Sequence, residues 1–595
     1  MLNTSSLLRA STALSSALAL SLVAGPASAQ TAQSARNAVL RDDLVQKEQA
    51  LERLAPTIEA LAARSDMSVE AFENMLLTDD SMHVDKDGNV LFIDATFVDG
   101  DEPSGNGGHG AHHRGGAPGS DIPLSDAFLL HSRPSARRTI YLDFDGHHSR
   151  NNVWGHNIEF PAFDRNGDPS TFSNSELQEI IDHWRYMAED FAPFNVNVTT
   201  EEPPVDDLLR SGSGDTRWGV RDVHTQPTDG FGNGIGGVAY LNSFSWSTDT
   251  PVFSFNKGSN NGSMTGSHEV GHALGLSHDG LNGSTYHPGR QINGWDWGPI
   301  MGAPFGADVV TWSKGDYSGS TTTQNDTFII SEPPNGTNLI IDDHGEAILA
   351  GTTLLGECGD LTTAEVCGRI TWADDRDAFS FFSDGGPITI DAFPSDPVVG
   401  NTDVQLELYG PNGQLITLSN PLRDRTASIS TTLAAGVHTI VVDGGEEPGH
   451  YTDYGSRGNY TLQVSAPNEL SHFRQLGNGL AGGLGEPVLA GDGFGCAGDQ
   501  VTVSLTNAQP GSVAFLAYGE NRLDLPLKGG LLVPDIGGSG SYITLSTDAF
   551  GEASVSDLWP AGLASGFRMH FQYWIVDPSG PEGFAASNAM VLIVP

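Results

Sequence analysis

The densest chemistry in the chain lies in Gly266-Ser-His-Glu-Val-Gly-His-Ala-Leu-Gly-Leu-Ser-His-Asp-Gly280. His268 and His272 stand four apart, so on a helix their rings share one face and can grip one metal ion. Glu269 sits beside them, badly placed as a third ligand but well placed to take a proton from a metal-bound water. Gly275 can adopt the left-handed conformation that ends a helix and turns the chain back, and three residues later His278 arrives as a third nitrogen. Three imidazoles leave a fourth position for water, which marks a catalytic zinc; structural zinc sites are closed and usually rich in Cys, and no Cys lies near. The bland alternative is an exposed helix carrying two histidines and a Glu for solubility.

Elements able to position such a site flank it. Thr139 to Phe144 reads as a strand. Ser173-Asn-Ser-Glu176 is a capping box, and Leu177, Ile180, Ile181, Trp184, Met187, Ala188 and Phe191 follow at three- and four-residue spacing. A helix of about five turns with a buried face is expected there. Gly237-Val-Ala-Tyr-Leu-Asn242 reads as a strand just before the histidine helix. Residues 281 to 300, rich in Gly, Asn and Trp, should form loops beyond the metal. His287 among them is an alternative ligand without the tight spacing of His278, and is read as a surface histidine. Asp164-Arg-Asn-Gly-Asp168 looks like the start of a calcium loop, but Ser175 stands where the twelfth-position Glu belongs. A solvated turn is the reading, and Ca2+ has no complete motif.

With these residues on the page, the chain resembles the metzincin metallopeptidases, more particularly the secreted bacterial reprolysin-like type. The extended H-E-x-x-H-x-x-G-x-x-H is that group's signature, together with a downstream Met-turn, for which Gly298-Pro-Ile-Met-Gly302 supplies Met301. Asp279 directly follows the third His, as in that family. The resemblance covers roughly residues 138 to 330 and includes Ala188-Glu-Asp-Phe-Ala-Pro-Phe-Asn-Val-Asn-Val198 and Trp312-Ser-Lys-Gly315. It implies an α/β (α+β) catalytic domain and makes Gly237, Val238, Ala239 and Tyr240 the sheet edge along which a peptide substrate lies, held by main-chain hydrogen bonds. Several metzincin groups place a Tyr two residues after the Met; here that position is Ala303, so tyrosine assistance is not expected. Further on, Asp374-Asp-Arg-Asp-Ala-Phe-Ser-Phe381, Val437-His-Thr-Ile-Val-Val442 and Tyr454-Gly-Ser-Arg-Gly-Asn-Tyr-Thr-Leu-Gln-Val464 resemble a bacterial pre-peptidase C-terminal domain, a β-sandwich appended to secreted proteases.

At 595 residues the chain is long enough for several domains with proper cores. A formal net charge of −45 argues against nucleic acid or anionic membrane surfaces as partners. Met1 to Ala29 reads as a secretory signal: Arg9, an Ala/Leu/Ser/Val run, then Ala27-Ser-Ala29 for cleavage. No later stretch reaches membrane-spanning length. Residues 30–122 read as a propeptide and linker. Leu40, Leu44, Leu51, Leu54, Ile58 and Leu61 suit one amphipathic helix, and Asp85-Lys-Asp-Gly-Asn89 with Val90 to Ile93 suits a hairpin. That segment has no Cys, so a thiolate latch on the metal is excluded. The Gly- and His-rich end carries His109, His112 and His113, which read as a spacer or as caps on the metal.

Residues 123–335 are then the peptidase domain, 336–466 the first sandwich and 467–595 a second, in which Phe571-Gln-Tyr-Trp-Ile-Val576 is core or a face for a surface or polysaccharide. Cys358 and Cys367 are close enough to close a small disulfide loop in an exported protein, leaving Cys496 unpaired. The expectation is a secreted zinc endopeptidase acting on extracellular proteins, with zinc on His268, His272 and His278 and Glu269 as general base. The competing class is a noncatalytic, adhesin-like surface protein with a structural metal. Glu269 speaks against it, because a structural site has no use for a base.

Overall fold

The computed structural model describes residues 43–95 and 122–594, apart from 151, 155–157, 229–233, 293–294, 349–351, 355–361, 384, 467–471, 494 and 565. The expected signal peptide, Leu40, Cys358, His109, His112 and His113 lie outside the described residues.

The first unit is three helices, Lys47–Leu54, Ile58–Arg64 and Val69–Thr78, followed by strands β1 (Met82–Val84) and β2 (Val90–Ala95). The leucine spacing predicts one helix over its first part. The structure divides it before Ile58, because Pro56 has no N–H for the ladder and its ring crowds the preceding turn. Asp85 shapes the hairpin turn, its Oδ1 accepting from the N–H groups of Asp87 and Asn89 at 2.9 and 2.8 Å.

Seven more strands follow: β3 (Arg138–Asp143), β4 (His147–Ser149), β5 (Ile158–Phe160), β6 (Asn197–Thr199), β7 (Trp218–His224), β8 (Ile235–Tyr240) and β9 (Val252–Ser254). Among them lie the capping-box helix (Asn174–Asp190) and the motif helix (Ser259–Leu274). The capping box forms reciprocally: Glu176 N–H donates to Ser173 Oγ at 3.4 Å, and Ser173 N–H donates to Glu176 Oε2 at 2.8 Å.

One seven-stranded sheet runs in the order β1, β2, β8, β9, β7, β3, β6. β3, β6, β7 and β9 pair in parallel, whereas β8 is antiparallel to both β9 and β2. The alternation of β2 splits its side chains: Leu91 and Ile93 join the core on one face with Val223, Val238 and Phe253, while Phe92 turns to the other. On that other face the two long helices pack through Ile180, Ile181, Met187, Val270 and Ala273.

This arrangement corrects one expectation. Gly237, Val238, Ala239 and Tyr240 do not form an open edge, because β2 lies along them in the register Leu91↔Tyr240, Phe92↔Ala239, Ile93↔Val238 and Asp94↔Gly237. The N-terminal unit has added its own strand where the sheet would otherwise end.

After residue 340 the chain is built of strands. A five-stranded and a four-stranded sheet enclose one core that includes Phe379, Phe381, Ile390, Leu406, Ile440 and Leu462. A further core, with Leu489, Val503, Leu516, Tyr573 and Leu592, fills the last part. The protein is multidomain and mostly β. Phe571, Tyr573 and Trp574 are buried, so these rings are core rather than a binding face. The cysteines also depart from expectation: Cys367 is a free thiol and Cys496 is the disulfide-bonded one. Cys367 is fixed in a long antiparallel ladder opposite Thr461, its Sγ 3.7 Å from Thr461 Oγ1, which commits it to the strand.

The first sandwich docks on the capping-box helix through polar contacts. Arg185 Nε donates to Asp396 Oδ2 (3.0 Å), Asn401 Nδ2 to Asp190 Oδ1 (2.8 Å) and Asn459 Nδ2 to Glu189 Oε2 (3.1 Å). Burial pushes the carboxyls of Glu189 and Asp190 up to about 7. A folded-state value above the unfolded one means that the native state takes up protons. The stabilising contribution is therefore full below about pH 4 and is lost as pH rises through about 7. We expect the unfolding free energy, and the melting temperature with it, to fall from pH 5 to pH 8, and Glu189→Gln to reduce the loss of free energy by about 2–3 kcal/mol. Thermal unfolding of both chains across this range checks it, and a pH-independent gap between them would refute it.

Candidate metal centre

The motif helix ends at Gly275, which has φ 114° and donates its N–H to Gly271 O and His272 O. A Cβ there would take a strained φ and also meet Asn242 Oδ1 at 2.7 Å, so glycine lets the chain turn back here. The turn returns His278 to the face carrying His268 and His272.

Each ring is held from behind. His268 Nδ1 donates to Ile300 O at 2.8 Å, His272 Nδ1 to Leu276 O at 2.8 Å, and His278 Nδ1 to Asp79 Oδ2 at 2.7 Å. With one proton committed at Nδ1, each ring in its neutral form, the form that binds a metal, presents the Nε2 lone pair inward. The Nε2 atoms of His272 and His278 are 3.2 Å apart.

Into this cup reaches Asp94 from β2. Its Oδ2 lies 3.5 Å from His268 Nε2 and 3.4 Å from His272 Nε2, and its Oδ1 lies 3.3 Å from His278 Nε2. All four side chains are buried, and their ligand atoms lie within 4.8 Å of one another. Burial pushes His272 down to about 4. Burial opposes charge on His278 too, yet Asp79 and Asp94 push that ring up to about 10. The fit to a metal ion is direct: His268 Nε2 and Asp94 Oδ2 are buried without a hydrogen-bond partner, and a cation at the convergence point would satisfy both.

Glu269 is buried beside the cluster. Burial, then the neighbouring Asp94 charge, raises its carboxyl well above the usual range. It has room only because residue 237 is glycine: a Cβ there would meet Glu269 Oε1 at 1.9 Å.

Met301 is fully buried in the core with Val270 and Ala273, and its carbonyl accepts from Asp279 N–H at 2.8 Å. The same turn supplies the Ile300 carbonyl that orients His268. Asp279 is buried, pushed up to about 7 by that burial, and lies outside the four-residue cluster. His287 corrects the sequence reading. It is fully buried, not at the surface, with its ring against Trp297 and Tyr317 at 5.5 and 5.0 Å, and it does not join the cluster.

Four residues here were not anticipated. Asp94 and Asp79 come from the N-terminal unit. Phe92 stacks on His272 with ring centroids 3.9 Å apart. Tyr286 donates its OH to Asp94 Oδ1 at 2.7 Å and lies 4.4 Å, ring to ring, from His278. A phenol therefore stands at the centre even though Ala303 provides none. Asp94 and Asp79 carried one faint signal, an acid interrupting or adjoining an otherwise apolar element.

Among the described residues a second group, Asp342, Asp375 and Asp377, has ligand atoms close enough to hold an ion. Asp164–Asp168 does not assemble one. There Asp164 Oδ1 is taken up by the N–H groups of Asn166, Gly167 and Asp168, as in a plain turn. Among the described residues no helix is long and apolar enough to cross a membrane.

No family model matches the chain, and no curated protein matches it. Among solved structures it is similar to the pre-peptidase C-terminal domain of a collagenase from Bacillus anthracis, at 12% identity over 19% of this chain and 93% of that one, with a TM-score of 0.14. It is also similar to a β-glucuronidase from Bacteroides uniformis, at 10% identity over 38% of this chain and 26% of that one, with a TM-score of 0.11. A β-1,2-glucanase from Parabacteroides distasonis follows at 10% identity, over 42% of this chain and 35% of that one, with a TM-score of 0.12. The chain thus spans about a third or less of either glycosidase's length. Similarity at this level carries no argument about activity, and the centre rests on its own geometry: three imidazoles and one carboxylate whose ligand atoms lie close enough together to hold a metal ion.

Proposed function

We propose that the chain is a secreted zinc-dependent endopeptidase of the metzincin type that hydrolyses peptide bonds of extracellular proteins. One observation carries the reading: three Nε2 atoms converge from Nδ1-anchored rings, with the Glu269 carboxylate buried and unpartnered beside them. The donor set suits zinc, which His268, His272 and His278 would hold through Nε2. Bound zinc supplies a Lewis acid that polarises a carbonyl and acidifies a water.

The chain's own residues do the rest. Glu269 accepts the proton of the attacking water on an Oε atom and returns it to the leaving amine nitrogen. The Ile300 and Leu276 carbonyls fix the rings, and buried Met301 keeps water from beneath them. Once β2 has left with the pro-segment, β8 would offer its main chain to a substrate strand, which gives tolerance of sequence. In the same reading residues 1–29 are the signal, 30–122 the pro-segment, 123–335 the catalytic α/β domain, 336–466 a pre-peptidase C-terminal-like sandwich and 467–595 a second sandwich.

The test is cleavage of a casein-type substrate by the chain after proteolysis between Ala95 and Ile122. Chelation should abolish cleavage and zinc restore it. His272→Ala should remove both the metal and the activity, a larger loss than the roughly 10–100-fold that an outer partner of a ligand costs. Cleavage that persists in chelator overturns the proposal. A metal-retaining chain that never cleaves points instead to the adhesin-like alternative.

A further inference from the structure

We infer that the first sandwich is a working part of the catalytic centre: its segment 447–451 clamps the strands that carry Tyr286 and Ile300 to the histidines, and Tyr451 is the positioning residue in that clamp. This role rests on the peptidase reading and brings a second domain into its machinery.

The clamp begins as a closed turn. Between the strands Gly436–Gly444 and Gly458–Ser465, the main chains of Glu447 and Tyr451 bond to each other in both directions at 3.2 Å, around Gly449 at φ 90°. Glycine takes that positive φ without strain, so the short turn can close. The Tyr451 hydroxyl donates to Asp403 Oδ2 at 3.1 Å, which ties the ring to the body of the sandwich. The turn is thereby stiffened, and it presents His450 and Tyr451 to the neighbouring domain.

Opposite it lies a small sheet of β10 (Arg290–Ile292), β11 (Trp295–Pro299) and β12 (Val309–Thr311). Trp297 of β11 is fully buried, and its own domain supplies only part of the cover. His287 and Tyr317 each lie 5.5 Å from it, ring to ring, while Tyr451 and His450 of the sandwich lie at 5.7 and 6.4 Å. Trp297, Val309, Tyr317 and Tyr451 thus make one apolar core shared by two domains. Polar bonds seal its edge. His450 Nε2 donates to Arg290 O at 3.0 Å, Arg290 Nη1 donates to Gly449 O at 2.8 Å, and Val310 N–H donates to Asn401 Oδ1 at 3.3 Å.

The small sheet reaches the centre at two points. Just after β11, Ile300 N–H donates to Thr311 O at 2.9 Å, and the Ile300 carbonyl orients His268. Trp297 Nε1 donates to Thr311 Oγ1 at 3.0 Å, so one residue of β12 holds both the clamped ring and the anchor of His268. Ahead of β10, His287 N–H donates to Asp279 O at 2.8 Å, and Tyr286 brings its ring within 4.4 Å of His278. A close-packed interior passes displacement on, because it has no void to absorb it. Removing the Tyr451 ring opens a space beside Trp297 and loosens the strands that meet two of the three imidazoles.

Three variants of the full chain separate this role from plain docking. Tyr451→Ala removes the ring, Tyr451→Phe keeps it and loses the hydroxyl, and Asp396→Asn weakens the sandwich's ion pair with Arg185 on the capping-box helix. Amide hydrogen exchange over residues 295–303 is followed on the metal-free chain, visible absorption on the cobalt-loaded chain, and kcat and KM for a peptide on the chain processed as above. For Tyr451→Ala the expected result is exchange over 295–303 at least about tenfold faster, an altered cobalt spectrum, and kcat lower by about 10–100-fold at unchanged metal content. Tyr451→Phe and Asp396→Asn should leave all three close to the parent. If Tyr451→Ala does not fold, Arg290→Met, which cuts the bond to Gly449 from a half-buried position, takes its place and should show the same changes in smaller measure. Parent kcat in the folded variant, whatever its exchange rate, overturns the clamp alone, provided that the processed parent hydrolyses peptide. An equal loss in Asp396→Asn also overturns it, since the effect would then belong to docking in general. A processed parent that never hydrolyses peptide overturns the peptidase reading and the clamp with it.

Discussion

Glu269→Gln should slow peptide hydrolysis by the processed chain about 10²–10⁴-fold while leaving its zinc content unchanged. The amide has the volume of the acid, so neither the core around it nor the three imidazoles need move. What disappears is the ability to accept a proton from the attacking water. The centre itself should survive, since the Nδ1 anchors are the Ile300 and Leu276 carbonyls and Asp79, none of which hydrogen-bonds to Glu269. The variant should also melt no lower than the parent, because a buried carboxyl without a hydrogen-bond partner, raised well above its ordinary range, is a cost to the fold. Steady-state kinetics on a peptide, with metal counted per chain, decides the matter. Retention of the parent rate would remove Glu269 from the mechanism.

Gly237→Ala should have the next largest effect, at least about 10²-fold on the same rate, together with about 1–3 kcal/mol of lost stability. The added methyl lands 1.9 Å from Glu269 Oε1 and 2.4 Å from its Cδ, so the carboxylate must swing out of place or β8 must shift. Either outcome separates the base from the water it serves. Zinc binding should persist, since the nearest neighbours of the added methyl are all atoms of Glu269 and none belongs to the three histidines, and the loss should fall on kcat more than on KM. An alanine variant with normal kcat would show that the acid tolerates displacement and that the close approach here has no catalytic meaning.

The sequence reveals this centre unevenly, for physical reasons. His268, His272 and Glu269 are spaced by the helical repeat, and His278 by a glycine turn, so local geometry alone brings them together. Ser173 and Glu176 likewise announce a helix through contacts three residues apart. The strand-rich second half shows itself through alternation and turns. Asp94 carries no such local mark. It reaches the centre only because β2 pairs with β8 in one register out of several, and a shift of one residue would turn it to the opposite face. The same long-range pairing explains why β8, legible as a strand, is not legible as an internal one. Pro56 was the local signal that should have divided the first helix. The cysteines show the opposite limit: closeness in sequence favoured Cys358 with Cys367, whereas Cys367 is a free thiol opposite Thr461 and Cys496, far away in the sequence, is disulfide-bonded.

The hydrogen bond from His278 to Asp79 has a temporal meaning. Two of the imidazoles are steadied by carbonyls of their own domain, but the third is steadied by a carboxylate of the first unit, which under the proposed processing would depart with it. On that reading the precursor's centre is aligned by a jig that the processed chain would no longer possess. Ion uptake would then belong to the stage before processing, and a molecule stripped of its metal afterwards should reload more slowly than its precursor.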